Sequence, residues 1–128
     1  MNPETKIKAE IQKKLGARRD VVIWNNPVGV AVHTNHQGQT RRVKYGTGGE
    51  GAPDLFCEVL VAGGPGTGRP AVFAAVWLEV KTPTGRLRPE QVQWHEAARS
   101  RGRHAYVVRS VEDALRAVAE VQALGAAT

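Results

Sequence analysis

The sequence predicts an α/β fold, a mixed β-sheet with helices around it, and three observations carry that expectation. Two strand-like runs, "DLFCEVL" (Asp54 to Leu60) and "AVFAAVWLEVK" (Ala71 to Lys81), are joined by "VAGGPGTGRP". That link is too short and too flexible for a helical crossover, so the two runs form an antiparallel hairpin. Helix-period segments stand at both ends of the chain, and a third separates the second run from a further strand, "HAYVV". With 128 residues, 41% apolar and 23% charged, the chain is one domain by size, residues 1–128. It has neither a disordered nor a fibrous bias.

Taken in order, residues from about Pro3 to Leu15 form a helix, because Ile7, Ile11 and Leu15 recur every four positions as one apolar stripe. Asn2 is placed to cap it, with Pro3 in the first helical position. "VVIW" (Val21 to Trp24) is a strand broken by "NNPVG", and "VAVH" and "RRVKY" pair as a hairpin around "NHQGQ". "GTGGEGAP" is a loop that leads into the two long strands. "PEQVQWHEAARSRG" is a helix with Pro89 in its first turn and Gly102 past its end. After "HAYVV", Ser110 and Asp113 open a last helix as a capping box, with Val111, Ala114, Leu115 and Val118 on its buried side. The order is αβ(ββ)ββαβα, and no internal repeat is present.

Net charge is +6, from 12 Arg and 6 Lys against 12 acids. The Arg excess suits a polyanion, because a planar guanidinium makes two contacts to a phosphate where an ammonium acts as a point charge. A basic balance of this kind points to nucleic acid as the partner. The single Cys57 excludes an internal disulfide and a Cys-based zinc site. "MNPETKIKAEIQKK" lacks the apolar core of a signal peptide, and no apolar run has transmembrane length, so a reducing cytoplasm is expected.

"WLEVKTPTGRLRPEQ" (Trp77 to Gln91) places a carboxylate and an ammonium two positions apart at a strand end. If the long hairpin folds about Gly66 and Thr67, cross-strand partners have numbers summing to about 133. Asp54 then faces Glu79, and strand alternation puts Glu79 and Lys81 on one face. Two facing carboxylates repel, and a divalent cation removes that conflict. Mg²⁺ takes one or two carboxylates plus waters and substrate oxygens, and the backbone carbonyl of Val80 can add one more oxygen. Such an ion lowers the pKa of a water and neutralises charge on a phosphate. Lys81 would orient or deprotonate the water, or stabilise the pentavalent phosphorus. The competing interpretation is a structural ion pair. Glu-x-Lys triplets arise by chance at about 0.4 per chain of this composition, and Glu4-Thr5-Lys6 is a second one.

"GAPDLF" followed by "LEVK" resembles the PD-(D/E)xK nuclease superfamily. The closer similarity is to its VRR-NUC (virus-type replication-repair nuclease) branch. Glu10 in the first helix, "WNNPVG", "GAPD", "EVKTPTGRLRPEQ" and "AYVVRSVEDAL" follow that branch's pattern over nearly the whole chain. The resemblance implies a restriction-endonuclease-like mixed sheet and metal-dependent phosphodiester hydrolysis in DNA repair or phage replication, often on branched or flapped DNA. It implies Mg²⁺ or Mn²⁺ as cofactor and, as in Holliday-junction resolvases, a homodimer in the cytoplasm of a bacterial or phage-infected cell. By position, Asp54 and Glu79 match the metal ligands, Lys81 the catalytic lysine and Gln91 the glutamine near the site. Glu10 matches the first-helix glutamate that reaches the metal directly or through water, although Glu4 lies in the same helix. A catalytically silent binding module of the same fold, or an RNA nuclease, would carry much of the same pattern.

"GGPGTGRP" has the glycines of a phosphate-cradling loop but Arg69 and Pro70 where that motif needs Lys and Ser or Thr, so no nucleotide cofactor is expected. His33 and His36 make no metal signature. Trp94 follows the site on its helix, suited to a core or interface and also to stacking on a base. Arg41, Arg42, Lys44, Arg86 and Arg88 are candidate phosphate contacts.

Overall fold

The structure is a computed structural model and describes residues 2–27, 29–45 and 48–126. Helix α1 (Pro3–Gly16) starts where expected: the Thr5 N–H donates to Asn2 Oδ1 at 2.9 Å and Pro3 fills the first turn. Ile11 and Leu15 are fully buried, and Ile7 packs beside them. The chain then forms β1 (Val21–Asn25), a hairpin of β2 (Gly29–Thr34) and β3 (Thr40–Tyr45), and the long β4 (Leu55–Gly64) and β5 (Arg69–Val80). Helix α2 (Pro89–Ser100), β6 (His104–Val108) and α3 (Val111–Ala126) complete it. No helix among the described residues is long and apolar enough to cross a membrane.

The main sheet has the order β1-β4-β5-β6. β1 and β5 run antiparallel to β4, and β6 runs parallel to β5 after the α2 crossover, so the sheet is mixed. This is a restriction-endonuclease-like α/β arrangement. Among the described residues β2 and β3 pair only with each other, as a separate two-stranded sheet. Asn35 shapes its turn, accepting from the N–H groups of Gln37 and Gln39 at 2.9 and 3.0 Å.

The period-2 pattern of β4 and β5 divides the molecule into two layers. Leu55, Cys57, Val59, Val76, Leu78 and Val80 point to one face, where they pack with Ile11 and Leu15 of α1 and Ala114, Val118 and Val121 of α3. Phe56 and Trp77 point to the other face and meet Trp94 and Ala98 of α2. Burial pushes the Cys57 thiol up to about 12, which keeps it protonated and inert. The α3 cap differs slightly from the expected box. Asp113 N–H donates to Ser110 Oγ at 3.1 Å, but the Asp113 carboxylate accepts from the Arg109 N–H, one residue earlier.

Gln91, His95 and Ala98 form the buried stripe of α2. His95 is 4% exposed, and neither ring nitrogen has a hydrogen-bond partner among the described residues. Its burial, then Arg99, holds the imidazole below its usual pKa and therefore neutral. An unpaired buried donor is destabilising by about 1–3 kcal/mol. His95→Leu is therefore expected to hold or raise the thermal midpoint in a calorimetric scan. A fall of several degrees would show that the imidazole is hydrogen-bonded in solution.

Candidate active site

The open end of the β4–β5 hairpin forms one wall of a cleft of about 340 Å³, lined by Glu4, Asp54, Glu79, Lys81, Arg88 and Gln91. The ladder runs without slippage from Leu55 opposite Leu78 to Leu60 opposite Phe73, the register expected for a fold about Gly66 and Thr67. Irregularities fall only beyond Leu60, toward the loop. Extended one step, the same register sets Asp54 opposite Glu79. Asp54 closes the corner by accepting from the Val80 N–H through Oδ1 at 3.2 Å. In extended backbone a residue's carbonyl points to the same neighbour as its N–H, so the Val80 carbonyl also faces the Asp54 side.

Each member is held from behind. The Asn26 backbone donates to the Asp54 carbonyl at 2.7 Å and its side-chain Nδ2 to the Pro53 carbonyl at 3.0 Å, pinning "GAPD" to the end of β1. The Lys81 N–H donates to the Val108 carbonyl at 3.0 Å and so extends the β5–β6 ladder past the strand end. Gln91 reaches back from the first turn of α2: its Nε2 donates to Glu79 Oε1 at 3.2 Å, and its Oε1 accepts from the Arg88 N–H at 2.9 Å. These two partners fix which way the amide points. Arg109 clamps the turn after Lys81, donating to the carbonyls of Thr82 and Gly85, both at 2.6 Å. Gly51 has φ +83°, and a Cβ there would lie 2.2 Å from the Glu90 carbonyl oxygen. The backbone before Asp54 therefore abuts the start of α2 directly.

The charges do not balance on their own. Glu79 is 2% exposed and Lys81 9%. Burial first, and then the Asp54 carboxylate, push the Glu79 carboxyl up to about 8, with Lys81 pulling the other way and Glu4 adding to the rise. The cleft thus gathers the carboxylates of Glu4, Asp54 and Glu79 against Lys81 and an Arg88 already paired with Glu90, and a surplus of oxygen donors is the chemistry a hard divalent cation satisfies. Among the described residues no group of three His, Cys, Asp or Glu side chains is drawn close enough to form a metal cage. Two carboxylates plus a carbonyl, with waters completing the shell, is the set that fits, and Mg²⁺ commonly binds in that way.

Sequence reasoning expected Glu10 to serve the site, and the structure does not bring it there. Glu10 opens onto a different groove beside Lys13, Lys14 and Val111, while Glu4 lines the cleft. Six residues along an α-helix turn the side chain about 120° away and move it about 9 Å. Glu4 instead precedes Ile7 and Ile11 at i+3 and i+7, so the apolar stripe itself points to it. Asn26 and Arg109 were not anticipated; "WNN" held the signal for the first, whereas a lone Arg after β6 carried none for the second.

Of the candidate phosphate contacts whose side chains are described, only Arg88 lines the cleft, where it also pairs with Glu90 at 3.1 Å. Arg86 is exposed on the preceding turn. Arg41 and Arg42 are exposed on β3, away from the cleft. Lys44 is placed by its backbone opposite Val30, and its side chain lies outside the described residues. Trp94 packs against Trp77 with its Nε1 donating to the Gly48 carbonyl at 2.7 Å, a structural position.

A family model for the VRR-NUC domain matches residues 3–112. The chain belongs to the VRR-NUC domain family. The match runs from the first residue of α1 to the second of α3 and includes every residue that lines the cleft. Membership makes this VRR-NUC chain a nuclease-type domain. A comparison with curated proteins finds no match.

Two outcomes test this geometry. The Glu79 carboxyl is raised in the folded state, so the native protein binds more protons than the unfolded chain between about pH 4.5 and 8. Without metal, the stability this group contributes is complete below about pH 4.5 and is lost as pH rises toward 8, no more steeply than about 1.4 kcal/mol per pH unit. Glu79→Gln should flatten that slope in denaturant titrations made in EDTA; an unchanged slope would show that Glu79 ionises normally. Gly51→Ala should destabilise the fold by about 1–3 kcal/mol and lower activity. A fully active, equally stable variant would mean that the loop and α2 do not touch.

Proposed function

We propose that residues 1–128 work as one VRR-NUC-like domain, a Mg²⁺- or Mn²⁺-dependent endodeoxyribonuclease selective for branched, flapped or four-way DNA. The observation that carries this reading is the meeting of Asp54 and Glu79 across the β4–β5 ladder, with Lys81 in the same cleft. A buried Glu79 facing a half-buried Asp54 carboxylate is retained at a stability cost, and a hydrolytic site gives that cost a purpose. Asp54, Glu79 and the Val80 carbonyl would hold the ion. When bound, the ion lowers the pKa of a water and neutralises charge on the phosphate.

The chain's own groups do the rest. Gln91 keeps the Glu79 carboxylate turned into the cleft through its 3.2 Å hydrogen bond. Lys81, on the same strand face, donates to the attacking water or to a non-bridging phosphate oxygen as charge builds there. Water oxygen adds to phosphorus, one P–O ester bond breaks, and the products are a phosphate end and a hydroxyl end. Arg88 at the rim is placed to receive a flanking phosphate. Glu4, not Glu10, is the α1 carboxylate that lines the cleft and would reach the ion through water. A homodimer would match the two-fold symmetry of a four-way junction, and a reducing cytoplasm suits the single buried Cys57.

The purified protein is to be incubated with linear, flapped and four-way DNA, and with RNA, in Mg²⁺, Mn²⁺ or EDTA, beside Lys81→Ala. Cleavage should need metal, should favour branched DNA, and should fall at least 100-fold in Lys81→Ala. Metal-independent cutting, or full activity of the variant, would end this mechanism. As a readout free of turnover, Mg²⁺ should raise the thermal midpoint of the wild type and not of Glu79→Gln.

A further inference from the structure

On the sheet face that carries Glu79, α2 covers only part of the surface. It buries Trp77 and Ala105 of β5 and β6, whereas Trp24 on β1 stays 42% exposed and Val22 48%. Trp24 stands opposite Phe56, and Phe56 opposite Trp77. The three rings form a continuous ladder across the strands, with centroids 4.7 and 4.6 Å apart. Trp94 extends it at 5.3 Å, and the Arg103 guanidinium lies over both Trp77 and Trp94, at 5.3 and 5.0 Å. The inner rings are locked, and Trp24 is the end of the ladder that offers an open aromatic face.

The position of that face is set by the same register that builds the cleft. Asp54 precedes Phe56 by two residues, so Trp24 and Asp54 are diagonal cross-strand neighbours, about 7–8 Å apart. A base adjoining a phosphate bound in the cleft beside Asp54 would come within reach of the indole. The segment that carries Trp24 is cationic in sequence: residues 21–49 contain no Asp or Glu, and they include Arg41, Arg42 and Lys44. The nearest carboxylate on this face beyond Asp54 is Glu58, opposite Val22 and on the far side of Trp24 from the cleft.

We propose that Trp24 is a nucleobase-stacking platform beside the cut, which selects DNA carrying an unpaired nucleotide next to the scissile phosphate. The inference rests on the nuclease reading above and deepens it. A base inside a duplex is already stacked on both faces, so only an unpaired one can use the indole. Phe56, Trp77 and Trp94 hold the platform still, so little ordering is needed when the base arrives.

The test measures binding without cleavage. Fluorescently labelled single-stranded oligonucleotide and fully paired duplex are titrated in EDTA against wild type, Trp24→Ala, Trp24→Phe and Trp24→Leu. Trp24→Leu keeps apolar bulk against Phe56 without a π face, so the comparison survives if the alanine variant folds poorly. Loss of stacking should weaken single-strand binding about 5- to 150-fold, the range found for base-stacking aromatics. Duplex binding should change less than about twofold, and Trp24→Phe should recover most of the loss. A 2-aminopurine in the oligonucleotide should be quenched by wild type and not by Trp24→Leu. Equal loss on single strand and duplex, or unchanged binding and quenching, overturns the proposal. So does a variant that alters the oligomeric state by light scattering while leaving DNA selection intact, because the face then belongs to a second copy. If no nucleic acid is cut by the wild type in any metal, the nuclease reading fails, yet these binding measurements still decide the role of Trp24.

Discussion

The antiparallel pairing of β4 with β5 is the constraint on which the rest of the structure depends. Its unbroken register from Leu55–Leu78 to Leu60–Phe73 leaves Asp54 and Glu79 no choice but to meet at the open end. The same alternation that sends Leu55, Cys57 and Val59 into the α1–α3 core sends Phe56 to the α2 face, and with it the side on which Asp54 and Glu79 stand. Moving the strand by one residue would expose the core and bury the cleft at once. Core packing, worth several kcal/mol per large side chain, therefore holds a pair of carboxylates that their own electrostatics would drive apart.

That opposition explains the density of support around a small site. Asn26 fixes the backbone on both sides of the Pro53–Asp54 peptide, Gln91 orients Glu79, and Arg109 braces the turn that follows Lys81. The close approach at Gly51 lets the loop and α2 share one wall. A cation-binding or catalytic group must be held within a fraction of an ångström, and here backbone contacts do most of the holding. The VRR-NUC match covers all of these elements, buttresses as well as polar side chains.

The α2 face is divided between structure and surface. Where the helix lies on β5 and β6, aromatic rings and Arg103 make a closed stack; where it stops short, β1 presents Trp24 and Val22. The β2–β3 hairpin follows β1 in the chain and carries cations and no carboxylates. The unequal covering of one sheet face therefore leaves an open aromatic ring beside a carboxylate-lined, cation-demanding cleft.

Much of this was determined by the sequence alone, because the signals concerned are local. The stripe of Ile7, Ile11 and Leu15, the Asn2–Pro3 start, the strand alternation and the Gly66–Thr67 turn each act over a few residues. Together they placed the elements and the Asp54–Glu79–Lys81 cluster. Gln91 was legible through the family resemblance, and the helix that opens soon after the strand of Glu79 brings it to the same end. What only the tertiary structure decided depends on how elements rotate and dock. Glu4 rather than Glu10 faces the cleft because the apolar stripe sets the angle of α1 against the sheet. Asn26, Arg109 and the open ring of Trp24 gained their positions from contacts across 24 or more residues of chain, or from a helix that ends before it covers them. Sequence periodicity records which way a side chain points on its own element; only packing of the elements decides what it meets.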